Sequence, residues 1–101
     1  MIKERILKIM DEILSEYEFR KIKIRYAIED KTLRIEGVCE FEPVNLHVGY
    51  TIGLVDEYED EVEEDDLKVY IRTALEFIKG KFWDFLVHHL GYKFDYKRGE
   101  R

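Results

Sequence analysis

The chain has 101 residues, and its 23 acidic and 17 basic side chains give a formal net charge of −6. A chain of this length forms one domain, so residues 1–101 are expected to fold as a single unit. A hydrophobic content of 46% excludes an intrinsically disordered chain. The single cysteine, Cys39, excludes a scaffold held by internal disulfides.

The composition also bears on source and location. The sequence has no Gln and only one Asn, while Glu and Lys dominate the charged residues. This pattern is typical of proteins from hot environments. The chain lacks a run of about 18 apolar residues that could span a membrane, and its N-terminus lacks the features of a signal peptide. We therefore expect a cytoplasmic protein without membrane association, from a thermophilic source, archaeal or viral.

Hydrophobic periodicity predicts one helix followed by three strands. The helix spans residues 2–17, and its apolar residues recur at helical spacing; they are Ile2, Ile6, Ile9, Met10, Ile13, Leu14 and Tyr17. Apolar residues then alternate with polar ones over about 22–28, 33–42 and 44–54, which is typical of half-buried strands. Because short turns join the strands, we predict an antiparallel meander.

Charged side chains predict how these strands are aligned. A turn with Asp30 and Lys31 at its tip places Arg25 opposite Glu36, and opposite charges across a strand pair are favourable. If Pro43 is the second residue of the next turn, Gly37 lies opposite Tyr50. The same alignment places His47 opposite Glu40 on the outer face.

A second helix is predicted over about 66–90, with Asp65 or Asp66 as its N-cap. Its inner face consists of Leu67, Ile71, Ala74, Leu75, Ile78, Phe82, Phe85 and Leu86. The predicted fold is thus α+β, in the order α-β-β-β-α, with two helices on one face of a three-stranded antiparallel sheet. The extended tail at 92–101 has the alternation of a short C-terminal edge strand.

Residues 56–66, DEYEDEVEEDD, contain nine carboxylates. The simplest interpretation is a solvated connection that ends at a helix N-terminus, where negative charge is favourable. A calcium loop does not fit, because Glu61 stands where such a loop needs glycine. The alternative is a surface that imitates phosphate and binds a basic partner; its candidate residues are Asp56, Glu57, Glu59, Asp60, Glu61, Glu63 and Glu64.

The tail combines basic and aromatic residues, as do proteins that bind single-stranded nucleic acid. Its candidate basic patch consists of Lys93, Lys97, Arg98 and Arg101, interleaved with Tyr92, Phe94 and Tyr96.

The element order resembles that of the double-stranded RNA-binding domain, which presents lysines at the start of its second helix. Here that region reads EVEEDDLKVY (61–70), and its carboxylates would repel RNA. Double-stranded RNA binding is therefore rejected. The alternative function is directed at nucleic acid, either through the tail at 92–101 or through imitation of phosphate by the acidic run at 56–66.

Neither catalytic nor metal-binding chemistry is indicated. His88 and His89 are adjacent, so on a helix they point about 100° apart and do not share one metal ion. His47 and a nearby glutamate could act as base and orienting group, but Cys39 faces the opposite side of the sheet. We therefore predict no catalytic residue, no cofactor and no metal, with an enzyme of unknown class as the third hypothesis.

The end of the second helix is predicted to be apolar nearly all round. Trp83, Val87 and Leu90 project away from the inner face, and a helix apolar on every side is covered on every side. Either the tail or another chain supplies the cover. The candidate interface comprises Trp83, Val87, Leu90, Tyr92, Phe94 and Tyr96. We predict a small binding protein that forms a homodimer, with a further protein partner left open.

Overall fold

The computed structural model describes residues 2–19, 22–41, 44–55, 58 and 60–89. Helix α1 (Lys3–Leu14) precedes strands β1 (Ile22–Glu29), β2 (Thr32–Phe41) and β3 (Val44–Gly53), and helix α2 (Glu64–His89) follows. The strands form one antiparallel sheet in the order β1-β2-β3. This confirms the predicted α+β fold. The predicted edge strand in the tail lies outside the described residues.

Strands β1 and β2 are aligned as the charges predicted. Arg25 lies opposite Glu36 and Tyr26 lies opposite Ile35. The tip of the hairpin is Asp30 and Lys31, where Asp30 has a φ of 58°. Aspartate enters this left-handed region more readily than most residues, so this turn suits its sequence.

Strands β2 and β3 differ from the predicted alignment by two residues. Gly37 lies opposite Val48 rather than Tyr50, and His47 lies opposite Val38 rather than Glu40. The last pair of the ladder is Phe41 with Val44. A shift of two keeps every side chain on its predicted face, because side chains alternate with a period of two.

The core lies between the sheet and the two helices. Its buried residues are Ile6, Ile9, Met10 and Ile13 of α1, Leu33, Ile35 and Cys39 of β2, Ile52 of β3, and Leu67, Ile71, Ala74, Leu75, Ile78 and Phe82 of α2. Phe85 and Leu86, also predicted to face inward, are half-buried. Ile2 was predicted on the apolar face of α1, but it precedes the helix and is 68% exposed. Neither described helix contains a segment long and apolar enough to cross a membrane.

Helix α2 lies directly against the backbone of the central strand at Gly37. A Cβ atom added to this glycine would lie 2.7 Å from Cγ2 of Ile78 and 2.8 Å from Cε2 of Phe82. Both distances are shorter than carbon atoms tolerate, since optimal contacts are about 3.5–4.0 Å. The glycine is therefore required by the approach of α2.

Helices α1 and α2 run in the same direction. Arg5 near the start of α1 pairs with Glu64 at the start of α2. Glu16, just past the end of α1, pairs with Arg72. Helix α1 has 12 residues and α2 has 26, so α2 extends well beyond the end of α1. It continues for about 25 Å past Arg72, at 1.5 Å per residue.

Replacing Gly37 with alanine is expected to destabilise the protein by about 1–3 kcal/mol, the usual cost of overpacking a core. Gly49→Ala is the matched control, because a Cβ atom at Gly49 meets nothing within 4 Å. The control should be neutral or slightly stabilising, since glycine weakens a strand interior. Urea denaturation of both variants measures the difference, and equal stabilities would contradict the close approach of α2.

Candidate interaction surfaces

Many of the predicted site residues lie outside the described part of the chain. From the candidate interface these are Leu90, Tyr92, Phe94 and Tyr96. From the candidate acidic site they are Asp56, Glu57 and Glu59, and the basic patch of Lys93, Lys97, Arg98 and Arg101 is entirely outside. The candidate surfaces are therefore built from the remaining residues.

The end of α2 presents the candidate tryptophan to solvent. Trp83 is 46% exposed, and Val87, one turn later, is half-buried. We call these two residues the Trp83 surface. The last described turns of α2 thus carry apolar side chains outside the core as well as within it.

The exposure of Trp83 follows from the unequal lengths of the helices. Trp83 follows Arg72 by eleven residues, or about three turns, so both project to the same side of α2. Arg72 reaches Glu16 just past the end of α1. The next residue to reach α2 is Tyr17, which is hydrogen-bonded to Glu76, one turn beyond Arg72. Burial, and then this hydrogen bond, raise the pKa of Tyr17. Trp83 lies about 10 Å beyond that level, where α1 has already ended.

The acidic run is partly engaged within the fold. Glu64 accepts two hydrogen bonds from Arg5, with Nε at 3.2 Å and Nη2 at 2.6 Å. Lys68, one turn later, lies 3.4 Å from the same carboxylate. The Arg5 hydrogen bonds hold the pKa of Glu64 below its ordinary value. This carboxylate therefore fastens α1 to the start of α2.

The other described carboxylates of the run are exposed: Asp60, Glu61, Glu63, Asp65 and Asp66. Because α2 begins at Glu64, Asp65 and Asp66 lie within its first turn and neither is the N-cap that the sequence suggested. Negative charge is favourable in a first turn. Asp65 and Asp66 therefore stabilise the start of α2, and the exposed carboxylates together form a negative surface beside it.

A polar cluster crosses all three strands on the outer face of the sheet. Arg25 donates to Glu36 Oε1 at 2.9 Å, and Nδ1 of His47 lies 3.1 Å from Oε2 of the same carboxylate. The hydrogen bond with His47, and then the pair with Arg25, hold the pKa of Glu36 below its ordinary value. A carboxylate held ionised between two donors is a poor proton acceptor, so the geometry favours a structural tie between strands.

A cavity of about 290 Å³ opens at the end of the sheet where both helices begin. Its walls are Ile6, Ile28, Leu54, Val62 and Leu67, with charged side chains of Lys3, Asp30, Lys31 and Glu61 among the lining residues. Among the described residues, both positive and negative side chains therefore line this cavity.

An aromatic pair on the other side of α2 was missed by the sequence analysis. The rings of Phe77 and Tyr50 are 5.3 Å apart and tilted by 59°. Phe77 is nonetheless 41% exposed, and Tyr70, two turns earlier on the same side of α2, is 44% exposed. We call Tyr50, Phe77 and Tyr70 the aromatic shelf. One feature of the sequence could have indicated this surface: residues 44–55, which include Tyr50, contain no charged side chain.

Within the described residues, no group of three or more His, Cys, Asp or Glu side chains is arranged to hold a metal ion. Comparisons with models of protein families, with curated proteins and with solved structures find no match to this chain.

The Arg5–Glu64 pair predicts how stability depends on pH. A carboxyl group whose pKa is lowered by folding stabilises the fold above its unfolded pKa, near 4.3, and this contribution is lost as the pH falls through the folded pKa. Glu64→Gln should therefore be less stable than the wild type at pH 7. Its stability should also fall less steeply between pH 5 and pH 2 than that of the wild type.

The control is Glu63→Gln, which removes the same charge from the exposed neighbouring position. It should retain the pH dependence of the wild type, as measured by urea denaturation across the same pH range. If both variants behave alike, the pair with Arg5 has no specific role.

Proposed function

We propose that this chain is a small non-enzymatic interaction protein that binds a second copy of itself through the Trp83 surface. The observation that carries the proposal is the 46% exposure of Trp83 on a helix flank that α1 does not reach. Tryptophan is among the residues most enriched at binding hot spots. A closed pair of identical subunits is the commonest form of self-association.

The energetics support this use of the surface. A tryptophan side chain carries up to about 250 Å² of surface, so roughly 100 Å² remains exposed here. Covering that area contributes about 2–3 kcal/mol at 25 cal/mol per Å². Val87, which is half-buried, adds apolar area to the same contact. A surface of this kind is suited to a modest but specific association.

The polar parts of the molecule support binding more than catalysis. Glu36 is bonded on one side to Arg25 and on the other to His47, and Glu64 is bonded to Arg5. Each of these charged groups has an internal partner that accounts for its position. The proposal extends to location and source. We expect a cytoplasmic protein, and we expect a thermophilic source because the composition is rich in Glu and Lys and poor in amides.

Trp83→Glu tests the proposal. A carboxylate in place of the indole would be buried without a partner in the contact, which is strongly unfavourable. We expect the self-association constant, measured by analytical ultracentrifugation over a range of concentrations, to fall by roughly tenfold or more, since each factor of ten is about 1.4 kcal/mol.

Val69→Glu is the matched control. Val69 is 57% exposed and lies fourteen residues before Trp83, so it is on nearly the same side of α2 but about four turns away. The same charge there should leave self-association unchanged. A wild-type protein that stays monomeric at millimolar concentration, or equal effects of both variants, would overturn the proposal.

A further inference from the structure

The outer edge of β3 lacks the features that normally prevent strands from pairing. Within the described sheet β3 is an edge strand, so one side of its backbone is not paired with β2. Natural proteins protect such edges with charged residues, proline, bulges or short strands. β3 is ten residues long, and residues 44–55 contain no Asp, Glu, Lys, Arg or Pro, although 40% of the chain is charged.

The other edge of the sheet shows the contrast. Strand β1 has eight residues, and its outward positions include Lys23, Arg25 and Glu29, all exposed. A strand pairing along β1 would meet these charges. Within the described residues, the two edges of the sheet thus differ in charge, and the β3 edge is the one without charged side chains.

Helix α2 packs over the central strand, where its Ile78 and Phe82 lie against Gly37. The aromatic shelf lies on the β3 side of α2, where Phe77 contacts Tyr50. A strand added to β3 would therefore place its inward side chains near Phe77 and Tyr70.

We infer that the β3 strand of a second copy of this chain occupies this place, antiparallel to the first across a twofold axis. Self-pairing brings identical side chains close together, and like charges facing each other across strands are destabilising. β3 has no such charges. Its inward residues are apolar and its outward residues are small or polar, so the pattern suits both members of the pair.

The size of the contact is adequate for a stable association. Ten residues of a strand extend about 33 Å, and the sheet and helix layers together are about 20 Å deep. The side of the molecule along β3 therefore has an area of roughly 650 Å² on each copy. Stable interfaces bury about 800 Å² per partner. Pairing along the strand also satisfies the outward backbone groups of β3.

This contact is distinct from the Trp83 surface and does not depend on it. Phe77 and Trp83 lie on opposite flanks of α2. Six residues on a helix correspond to a rotation of about 600°, which is 120° less than two full turns, so the two side chains point to either side of the core-facing Ile78 and Phe82. A chain with two different twofold contacts assembles beyond the dimer. We therefore expect the wild type to form a complex larger than two copies.

Gly49→Lys is the test. Gly49 lies near the middle of β3 on the outer face, with nothing within 4 Å of an added Cβ, so the fold should accept the substitution. Across the twofold axis it places two ammonium groups near each other, which opposes pairing. Gly49→Ala is the matched control without charge. Circular dichroism verifies the folding of both variants.

Sedimentation equilibrium gives the masses. We expect Gly49→Lys to reduce the complex to a dimer joined through the Trp83 surface, Trp83→Glu to reduce it to a dimer joined through β3, and the combined variant to be monomeric. Gly49→Ala should retain the wild-type mass. Amides of β3 should exchange with deuterium faster in Gly49→Lys than in the wild type, because half of them lose a partner.

Other outcomes separate the two proposals. If Gly49→Lys leaves the wild-type mass unchanged while Trp83→Glu gives monomers, the β3 contact is refuted and the Trp83 surface stands. If Gly49→Lys alone gives monomers, the β3 contact stands and the Trp83 surface fails. If β3 amides are protected equally at every concentration in a monomeric wild type, a segment of the same chain covers the edge and the inference is overturned.

Discussion

The close approach of α2 to the backbone at Gly37 is the constraint on which the exposed surfaces depend. Ile78 and Phe82 rest where a side chain at this glycine would lie, and this fixes both the height of the helix and its rotation about its own axis. Phe77 precedes the first of these contacts by one residue and Trp83 follows the second by one. Because each residue turns the helix by 100°, these two aromatic rings are directed to opposite flanks, one beside β3 and one on the side of α1.

The sequence predicted the element order, the faces of the strands and the β1–β2 alignment, because several local signals agreed there. The tip at Asp30 and Lys31, the charges of Arg25 and Glu36, and the alternation of apolar residues all require the same pairing. The β2–β3 alignment had no charged pair to restrain it, since β3 is uncharged. It depended on one assumption about the turn at Pro43, and the resulting alignment was wrong by two residues.

The candidate surfaces could be predicted only where periodicity was sufficient. Trp83 falls outside the inner stripe of α2 by spacing alone, so its direction away from the core could be predicted. The aromatic shelf depends on which strand α2 covers, and the Arg5–Glu64 pair joins residues 59 positions apart. Neither follows from local patterns, because both are set by how the helices pack on the sheet. Ile2 shows the opposite error, since its spacing fitted a helix that begins one residue later.

The parallel arrangement of α1 and α2 has an electrostatic consequence. Two helices that start at the same end of a sheet bring the positive ends of their dipoles together, and this arrangement is unfavourable unless negative charge is nearby. Glu4 lies in the first turn of α1, and Glu64, Asp65 and Asp66 lie in the first turn of α2. The carboxylates in the first turn of α2 thus act as counter-charges for a pair of aligned helices, and the acidity at this end of the protein favours their parallel packing.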